Sequence, residues 1–257
     1  MMLKTTNESR SWATRPSQPL FSCRGIHLDL GGREILRDIN VHVGVGEVLG
    51  VIGPNGAGKT SLFEVLSGRL TPKSGQVTFK GQDVTSLPLH RRARLGIGRT
   101  YQTPVIPEDL TVGETFKAAR QAFQPYLTKF DAEYGAELVN LKVDEDVPTA
   151  QLETLNRRKL LLACLLMRRP ALLLMDEPAA GLINSEVEEI DFLLRLLSKE
   201  MNIAIIIVEH RIELLGTIAD RVMVMDAGEV ISEGSMAKVL SDPKVHAAYF
   251  ENVDEAA

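Results

Sequence analysis

One short stretch of the chain carries the residue types that binding a phosphate group requires. It reads Gly53-Pro54-Asn55-Gly56-Ala57-Gly58-Lys59-Thr60-Ser61. Its glycines allow backbone conformations that a Cβ would forbid, so several N–H groups can converge on one anion. Lys59 supplies a positive charge, and the Thr60 hydroxyl can ligate Mg²⁺. The spacing G-x-x-x-x-G-K-[ST] therefore predicts a phosphate-binding loop.

The residues on either side of this loop favour the same interpretation. Val48 to Ile52 is an apolar run typical of a strand, and Ser61 to Leu66 reads as the start of an amphipathic helix. A helix that begins at the loop adds the positive end of its dipole to the anion site. A chance glycine-rich turn would not require strand, loop and helix in this order.

Two later apolar runs end in residues that can do chemistry. Ala171 to Met175 is followed by Asp176-Glu177-Pro178, and Ile203 to Val208 is followed by Glu209-His210. Continuous apolar runs are typical of strands buried on both faces of a parallel sheet. Ligands of such sheets bind beyond the carboxyl ends of the strands. We therefore expect these polar residues and the phosphate loop to gather at one edge.

Three of these polar side chains can have a role in phosphate chemistry. Asp176 can hold Mg²⁺ directly or through water, and Glu177 can orient and deprotonate an attacking water molecule. His210 can contact a terminal phosphate. Two alternatives stay open: Asp-Glu-Pro is also a plausible helix-capping turn, and a histidine at a strand end can simply bond to backbone groups.

The pattern along the chain predicts a β-rich first third followed by helices. Phe21 to Leu30 and Ile35 to Val43 flank a turn at Gly31-Gly32, which favours an antiparallel hairpin. The pattern is helical over about residues 104–167, with Thr111 and Glu114 placed as in a capping box. Further predicted elements are a strand at 76–79, a crossover helix from Glu186 to Lys199 and a closing hairpin from Arg221 to Ile231.

The amino-acid composition limits the class of protein to which this chain can belong. The chain has 257 residues, of which 44% are hydrophobic and 25% charged, as in a soluble globular protein with a sizeable core. The net charge of −5 argues against a dedicated nucleic-acid binder. Cys23 and Cys164 fit no metal or disulfide spacing. Residues 1–20 are expected to be a polar, disordered extension, and no apolar run is long enough to span a bilayer.

Four motifs in this order resemble those of ATP-binding-cassette (ABC) ATPases. They are the phosphate loop, Gln102, LLLMDEP at 172–178 and IIIVEH at 205–210. The stretches GPNGAGKTSLFEVLSG, GIGRTYQT, DEPAAGL and DRVMVMDAGEVISEGS are similar to those of branched-chain amino-acid importer ATPases. The resemblance implies an α/β fold over residues 21–257: a P-loop NTPase core with a mostly parallel sheet, an N-terminal antiparallel β subdomain and a helical subdomain.

The resemblance also assigns ligands and roles. It implies ATP bound by residues 53–61, Mg²⁺ held by Thr60, Gln102 and Asp176, and catalysis by Glu177, His210 and Gln102. It implies a peripheral subunit at the cytoplasmic face of the membrane, working with integral permease subunits and a periplasmic or extracellular solute-binding protein. Two such ATPase subunits sandwich ATP, each pairing its phosphate loop with the signature loop of the other.

Five positions depart from the family pattern. The serine and glycine of the signature loop fall on Glu153 and Leu155. A glutamate there repels a terminal phosphate, and a leucine side chain blocks close approach of the backbone. Ile183 replaces an Asp or Asn, Leu30 replaces the aromatic residue that stacks on adenine, and Arg211 replaces an Asp. These changes favour a heterodimer with one competent ATP site.

Three functions are compatible with the sequence. The first is the ATP-hydrolysing motor of an importer for branched-chain amino acids or related polar solutes. The second is a nucleotide-binding regulatory subunit with weak hydrolysis, which the altered signature loop favours and the intact Glu177 and His210 oppose. The third is a soluble ABC ATPase outside transport, although such proteins usually carry two cassettes or long coiled-coil insertions.

Overall fold

A computed structural model describes residues 18–103 and 105–250 of the chain, with side chains up to residue 248. Most of the predicted polar extension lies outside the described residues. The strands are β1 (Phe21–Leu30), β2 (Arg33–Val43), β3 (Val48–Ile52), β4 (Ser74–Phe79), β5 (Gln82–Asp83), β6 (Ile97–Arg99), β7 (Leu172–Asp176), β8 (Ala204–Val208), β9 (Arg221–Asp226) and β10 (Glu229–Gly234).

The helices connect these strands and form a separate cluster in the middle of the chain. They are α1 (Lys59–Ser67), α2 (Leu89–Leu95), α3 (Val112–Gln121), α4 (Lys129–Leu138), α5 (Thr154–Leu166), α6 (Asn184–Arg195), α7 (Ile212–Ile218), α8 (Met236–Leu240) and α9 (Pro243–Phe250). A 3₁₀ turn at Thr149–Gln151 precedes α5, and a π-helical turn at Leu196–Glu200 extends α6.

The strands form two sheets. The smaller is antiparallel with the order β2-β1-β4-β5, and the larger has the order β10-β9-β3-β8-β7-β6. In the larger sheet only the pair β9–β10 is antiparallel among the described pairings. The predicted α/β architecture, with a mostly parallel sheet, an N-terminal antiparallel sheet and a helical subdomain, is confirmed.

The parallel strands are apolar throughout because both faces of their sheet are covered. All five residues of β3, β7 and β8 are buried. Along β7, Leu172 and Leu174 belong to the core shared with the antiparallel sheet and α1, whereas Leu173 and Met175 belong to the core shared with α5 and α6. Successive side chains of a strand point to opposite faces of the sheet, and here each face packs against a different apolar core.

The strand register brings the predicted polar residues to one edge. Val208 pairs with Val51 on one side and with Asp176 on the other, so the three residues lie in one row across the sheet. The chain leaves β3, β7 and β8 at or just beyond this row. The loops that begin at Gly53, Glu177 and Glu209 therefore start beside one another.

The middle of the chain is helical, and its first helix starts as the sequence indicates. The hydroxyl oxygen of Thr111 accepts from the Glu114 amide at 3.2 Å, and the Glu114 carboxylate accepts from the Thr111 amide at 2.9 Å. This is the predicted capping box. Thr128 and Asp131 form a second one at the start of α4, where the shorter aspartate takes the place of glutamate.

Two details differ from the sequence-based expectations. The crossover helix α6 begins at Asn184 rather than Glu186, because the Glu186 carboxylate reaches back to the Ile183 amide at 3.0 Å. Strand β6 was not foreseen, since three residues with a central glycine give little pattern. A Cβ on Gly98 would lie 2.7 Å from Leu173 Cδ2, so a larger residue there would require the Leu173 side chain to shift.

The buried side chain of Arg92 binds the C-terminal turn of α1. Arg92 is 0% exposed, and its guanidinium donates to the carbonyl oxygens of Val65 and Leu66 at 2.9 and 2.8 Å. It also donates to Leu87 and Thr85 carbonyls, each at 2.9 Å. Burial lowers the pKa of Arg92 to about 10, so the side chain stays charged at neutral pH. The cation thereby binds carbonyl groups of the last turn of α1, where the negative end of the helix dipole lies.

We predict that Arg92→Met lowers the free energy of unfolding by about 3 kcal/mol, because the carbonyl oxygens of Leu66, Leu87 and Thr85 lose the guanidinium that binds them. Urea denaturation followed by circular dichroism measures the change. The neighbouring Arg91 is exposed, and Arg91→Met is the matched control with an expected change within about 0.5 kcal/mol. Equal effects of the two substitutions would contradict the structural role of Arg92.

Candidate nucleotide-binding site

The phosphate loop runs from the end of β3 into α1, and two of its glycines have no substitute. A Cβ on Gly53 would lie 2.2 Å from the Met225 carbonyl oxygen. Gly58, which precedes the first residue of α1, has a φ of 98°, a left-handed conformation that residues with a Cβ rarely adopt. The loop therefore ends with free N–H groups of a helix N-terminus, as an anion site requires.

Lys59 lies within the curve of its own loop. Its ammonium donates to the carbonyl oxygens of Gly53 at 2.6 Å and Pro54 at 2.9 Å, and the residue is 8% exposed. Burial lowers the pKa of Lys59, and the charges of Glu177 and Asp176 partly oppose that shift. The cation is thus held in place by carbonyl groups and faces two carboxylates across the site.

Asp176 is the last residue of β7 and is buried. Burial raises the pKa of this carboxyl, the Arg99 guanidinium lowers it, Glu177 raises it and Lys59 lowers it. Arg99 is fixed behind the site by bonds to the Ser67 hydroxyl at 2.6 Å and the Glu64 carboxylate at 2.8 Å. A carboxylate that burial destabilises in this way gains more from a bound cation than an exposed one does.

The structure brings Gln102, Glu177 and His210 together. The Gln102 amide donates to Glu177 Oε2 at 2.7 Å, and His210 Nε2 lies 2.9 Å from Glu177 Oε1. The Glu177 side chain is 18% exposed and that of His210 is 48% exposed. Both oxygens of one carboxylate are therefore oriented by side chains from two other loops, which suits a group that positions or deprotonates water.

One cavity of about 300 Å³ joins these groups. Its lining comprises Ile35, Asn55, Gly56, Ala57, Gly58, Lys59, Thr60, Ser61, Gln102, Asp176, Glu177, Val208 and His210. Of the site residues that the sequence indicates, Gly53 and Pro54 do not line it, but their carbonyl oxygens hold Lys59. The expected meeting of three loops at one sheet edge is thus observed.

The donor set of this cavity suits Mg²⁺ bound together with a phosphate. Within the described residues, no cluster of three or more His, Cys, Asp or Glu side chains could hold a metal ion unaided. Thr60 and Asp176 line the same cavity from opposite loops. Mg²⁺ is usually held by one or two protein oxygens plus substrate phosphates and water, so these two residues fit it.

The two positions that the resemblance assigns to the signature loop, Glu153 and Leu155, lie at the start of α5. Glu153 is the residue before the helix and is exposed, and its side chain caps no backbone N–H group. Leu155 is half-buried and packs against the core shared with α6, so part of its bulk faces inward. The helix N-terminus therefore presents a carboxylate rather than a hydroxyl, which disfavours an approaching phosphate.

The structure adds residues to which sequence reasoning gave no role. Arg158 donates to the carbonyl oxygens of Glu177 at 2.8 Å and Ala180 at 2.5 Å. Glu209 is buried and accepts from the Ala179 amide at 2.7 Å. No sequence signal marks Arg158, because its acceptors are backbone carbonyl oxygens, which every residue carries.

Comparison with known proteins identifies the family. Residues 36–180, which include the phosphate loop and Glu177, match the family described as ABC transporter. The chain belongs to the ABC transporter family. A probable ABC transporter ATP-binding protein of Azorhizobium caulinodans is 35% identical over 88% of this chain and 80% of its own length. The resemblance read from the motifs is therefore confirmed.

Two further relatives have more specific names. The high-affinity branched-chain amino acid transport ATP-binding protein BraF of Pseudomonas aeruginosa is 31% identical, over 91% of this chain and 98% of its own. The lipopolysaccharide export system ATP-binding protein LptB of Acidithiobacillus ferridurans is 33% identical, over 84% and 90% respectively.

The fold is also that of a solved ABC cassette. The crystal structure of an ATP-binding cassette in its ADP conformation superposes with a TM-score of 0.82 at 27% identity, covering 91% of this chain and 99% of that one. Across the part of our chain that the structure describes, no helix has the length and apolar character needed to cross a membrane.

We predict that Lys59→Ala weakens ATP binding at least about 30-fold, because it removes a charge-assisted contact of about 2 kcal/mol or more from the phosphate loop. Isothermal titration calorimetry with ATP and Mg²⁺ measures the change. Lys117, exposed on α3, supplies the control Lys117→Ala, for which affinity should stay within twofold of wild type. An unchanged affinity of the Lys59 variant would remove this loop from the site.

Proposed function

We propose that this chain is the ATP-hydrolysing motor subunit of an ABC transporter that imports branched-chain amino acids or related polar solutes. ATP hydrolysis is supported by the position of the Glu177 carboxylate, which Gln102 and His210 orient beside the phosphate loop. The relative BraF, named for branched-chain amino acid transport, supports the choice of solute. Family membership supports ATP as the ligand.

The proposed mechanism assigns one task to each group. The loop N–H groups and Lys59 bind the β- and γ-phosphates, and Lys59 exchanges its carbonyl partners for phosphate oxygens. Thr60, Asp176 and Gln102 would hold Mg²⁺, which would neutralise charge on the phosphates. Glu177 orients and deprotonates the attacking water, and His210 contacts the γ-phosphate from the same side.

The proposed assembly follows from the same site. A second ABC ATPase subunit would supply the signature helix that completes the site, and integral permease subunits would couple hydrolysis to transport. A periplasmic or extracellular solute-binding protein would deliver the solute, and nucleic acid has no part. The chain would sit at the cytoplasmic face of the membrane as a peripheral subunit.

A different cargo has one observation in its favour. LptB, a lipopolysaccharide export ATPase, is as similar to this chain as BraF is. Reconstitution with the integral subunits encoded beside it separates the two cargoes. Amino-acid uptake that depends on a solute-binding protein supports import, whereas lipid release without such a protein supports export.

We predict that Glu177→Gln keeps ATP affinity within about threefold but lowers turnover at least 100-fold, because the amide retains the shape and loses the base. Steady-state phosphate release by the assembled ATPase measures turnover. The matched control is Glu188→Gln on the exposed face of α6, which should hydrolyse ATP as wild type does. Near-normal turnover of the Glu177 variant would show that another group serves as base.

The altered signature helix supports pairing with a different subunit. In a homodimer, both ATP sites would face the carboxylate of Glu153 and the side chain of Leu155. In a heterodimer, only the partner's phosphate loop meets them, while Lys59, Asp176 and Glu177 of this chain meet the partner's signature helix. A complete set of catalytic groups is useful only in the second arrangement, so we propose an asymmetric heterodimer with one competent site.

Purified separately, the chain should hydrolyse ATP at less than about one-tenth of the rate it reaches with an ABC ATPase partner whose signature helix is intact. Light scattering with ATP should show no homodimer in the Glu177→Gln background. The double variant Glu153→Ser, Leu155→Gly should strengthen ATP-dependent closure of the pair by restoring the second site. Substantial hydrolysis and ATP-dependent dimerisation of the chain alone would refute the asymmetry.

A further inference from the structure

Three consecutive residues that follow β8, namely Glu209, His210 and Arg211, bind the loop that follows β7. Glu209 accepts from the Ala179 amide at 2.7 Å, and His210 Nε2 lies 2.9 Å from the Glu177 carboxylate. Arg211 Nη2 donates to the Leu182 carbonyl oxygen at 2.8 Å. The segment after β8 thus contacts the first residue, the middle and the last residue of loop 177–182.

The first residue of this loop needs such support. Glu177 has a φ of 45°, a left-handed conformation that is unfavourable for a residue with a Cβ. Its amide donates to the Val208 carbonyl at 2.9 Å, and its own carbonyl accepts from Arg158 at 2.8 Å. The conformation that aims the Glu177 side chain persists because the surrounding bonds impose it.

The last peptide of the loop is held on both sides by side chains. Arg211 donates to the Leu182 carbonyl oxygen, and the Glu186 carboxylate accepts from the amide of Ile183, the next residue, at 3.0 Å. Ile183 stands at the N-cap position of α6 and has no polar group to cap the helix. Glu186 supplies the accepting group at this junction, while Arg211 holds the carbonyl side of the same peptide.

The orientation of the peptide between Leu182 and Ile183 determines which of the two side chains is buried. Leu182 is 3% exposed and lies in the core, whereas Ile183 is 67% exposed. Rotation of the peptide between them would break both side-chain bonds and shift the path of the loop back towards Glu177. The Ala180 amide donates to the Glu177 carbonyl at 3.1 Å and the Leu182 amide to the Ala179 carbonyl at 3.3 Å, so two successive turns connect the ends of the loop.

We propose that Arg211 is a positioning residue for Glu177. It fixes the distal end of loop 177–182 while its neighbour His210 holds the carboxylate at the proximal end. The inference rests on the proposed function, because it takes Glu177 as the catalytic base. The Arg211 side chain does not line the nucleotide cavity, and its hydrogen bond goes to the far end of the loop.

The test compares Arg211→Ala, Arg211→Lys and the control Arg195→Ala in the full chain. Arg195 pairs with Asp191 on the surface of α6 and is remote from the loop bonds. Hydrogen exchange of peptides covering 178–187 reads the loop directly, through amides such as that of Ala180, which donates to the Glu177 carbonyl at 3.1 Å. ATP turnover is measured in the assembled ATPase pair.

We expect exchange across the loop to rise about tenfold in Arg211→Ala and kcat to fall about tenfold, while KM for ATP stays within twofold. Arg211→Lys, which keeps a donor, should recover at least half of the lost kcat, and Arg195→Ala should match wild type. A loss confined to kcat identifies a displaced catalytic group rather than a weakened nucleotide site.

Each other outcome overturns the inference. Unchanged loop exchange in Arg211→Ala would show that the Leu182 bond does not hold the loop. Increased exchange with unchanged kcat would show that the loop path does not position Glu177. Failure of the proposed function gives a different result, because then the wild-type pair itself would hydrolyse no ATP, and the positioning role would fall with it.

Discussion

The site depends on the pairing of β3 between β8 and β9. Every residue of β3 is buried, and its parallel partners on both sides fix which residue ends level with which. Val51, Val208 and Asp176 share one row, so the loops after three strands begin side by side. A slip of one residue would turn the side chains of a strand to the opposite core and separate Asp176 from the phosphate loop.

The parts of this arrangement that local patterns specify were predictable. The phosphate loop, the apolar runs of β7 and β8 and the capping box at Thr111 each carry a signature within a few residues. Their meeting at one edge followed from the rule for parallel sheets. The assignments of Gln102 and of the signature positions came only from family resemblance, since a lone loop glutamine has no pattern of its own.

Other contacts that hold the site could not be predicted from the sequence, because they are hydrogen bonds from arginine side chains to backbone carbonyl oxygens. Arg92, Arg158 and Arg211 all donate to backbone oxygens rather than to carboxylates. A carbonyl acceptor exists at every position of the chain, so it leaves no trace in residue identity. A hydrogen bond to a charged group stabilises by about 1.5–3 kcal/mol, and here each one ties a loop or helix end that is distant in sequence.

The hydrogen bonds that hold the C-terminal turn of α1 also bear on the rigidity of the phosphate loop. Its C-terminal turn is bound by Arg92 from α2 and by Arg99 from β6, whose side chain reaches the Phe63 carbonyl and the Ser67 hydroxyl. These bonds tie α1 to α2 and to β6 at the end of the helix opposite the phosphate loop. Because Lys59 is the first residue of α1, side chains that do not line the nucleotide cavity help to set how firmly the cradle is held.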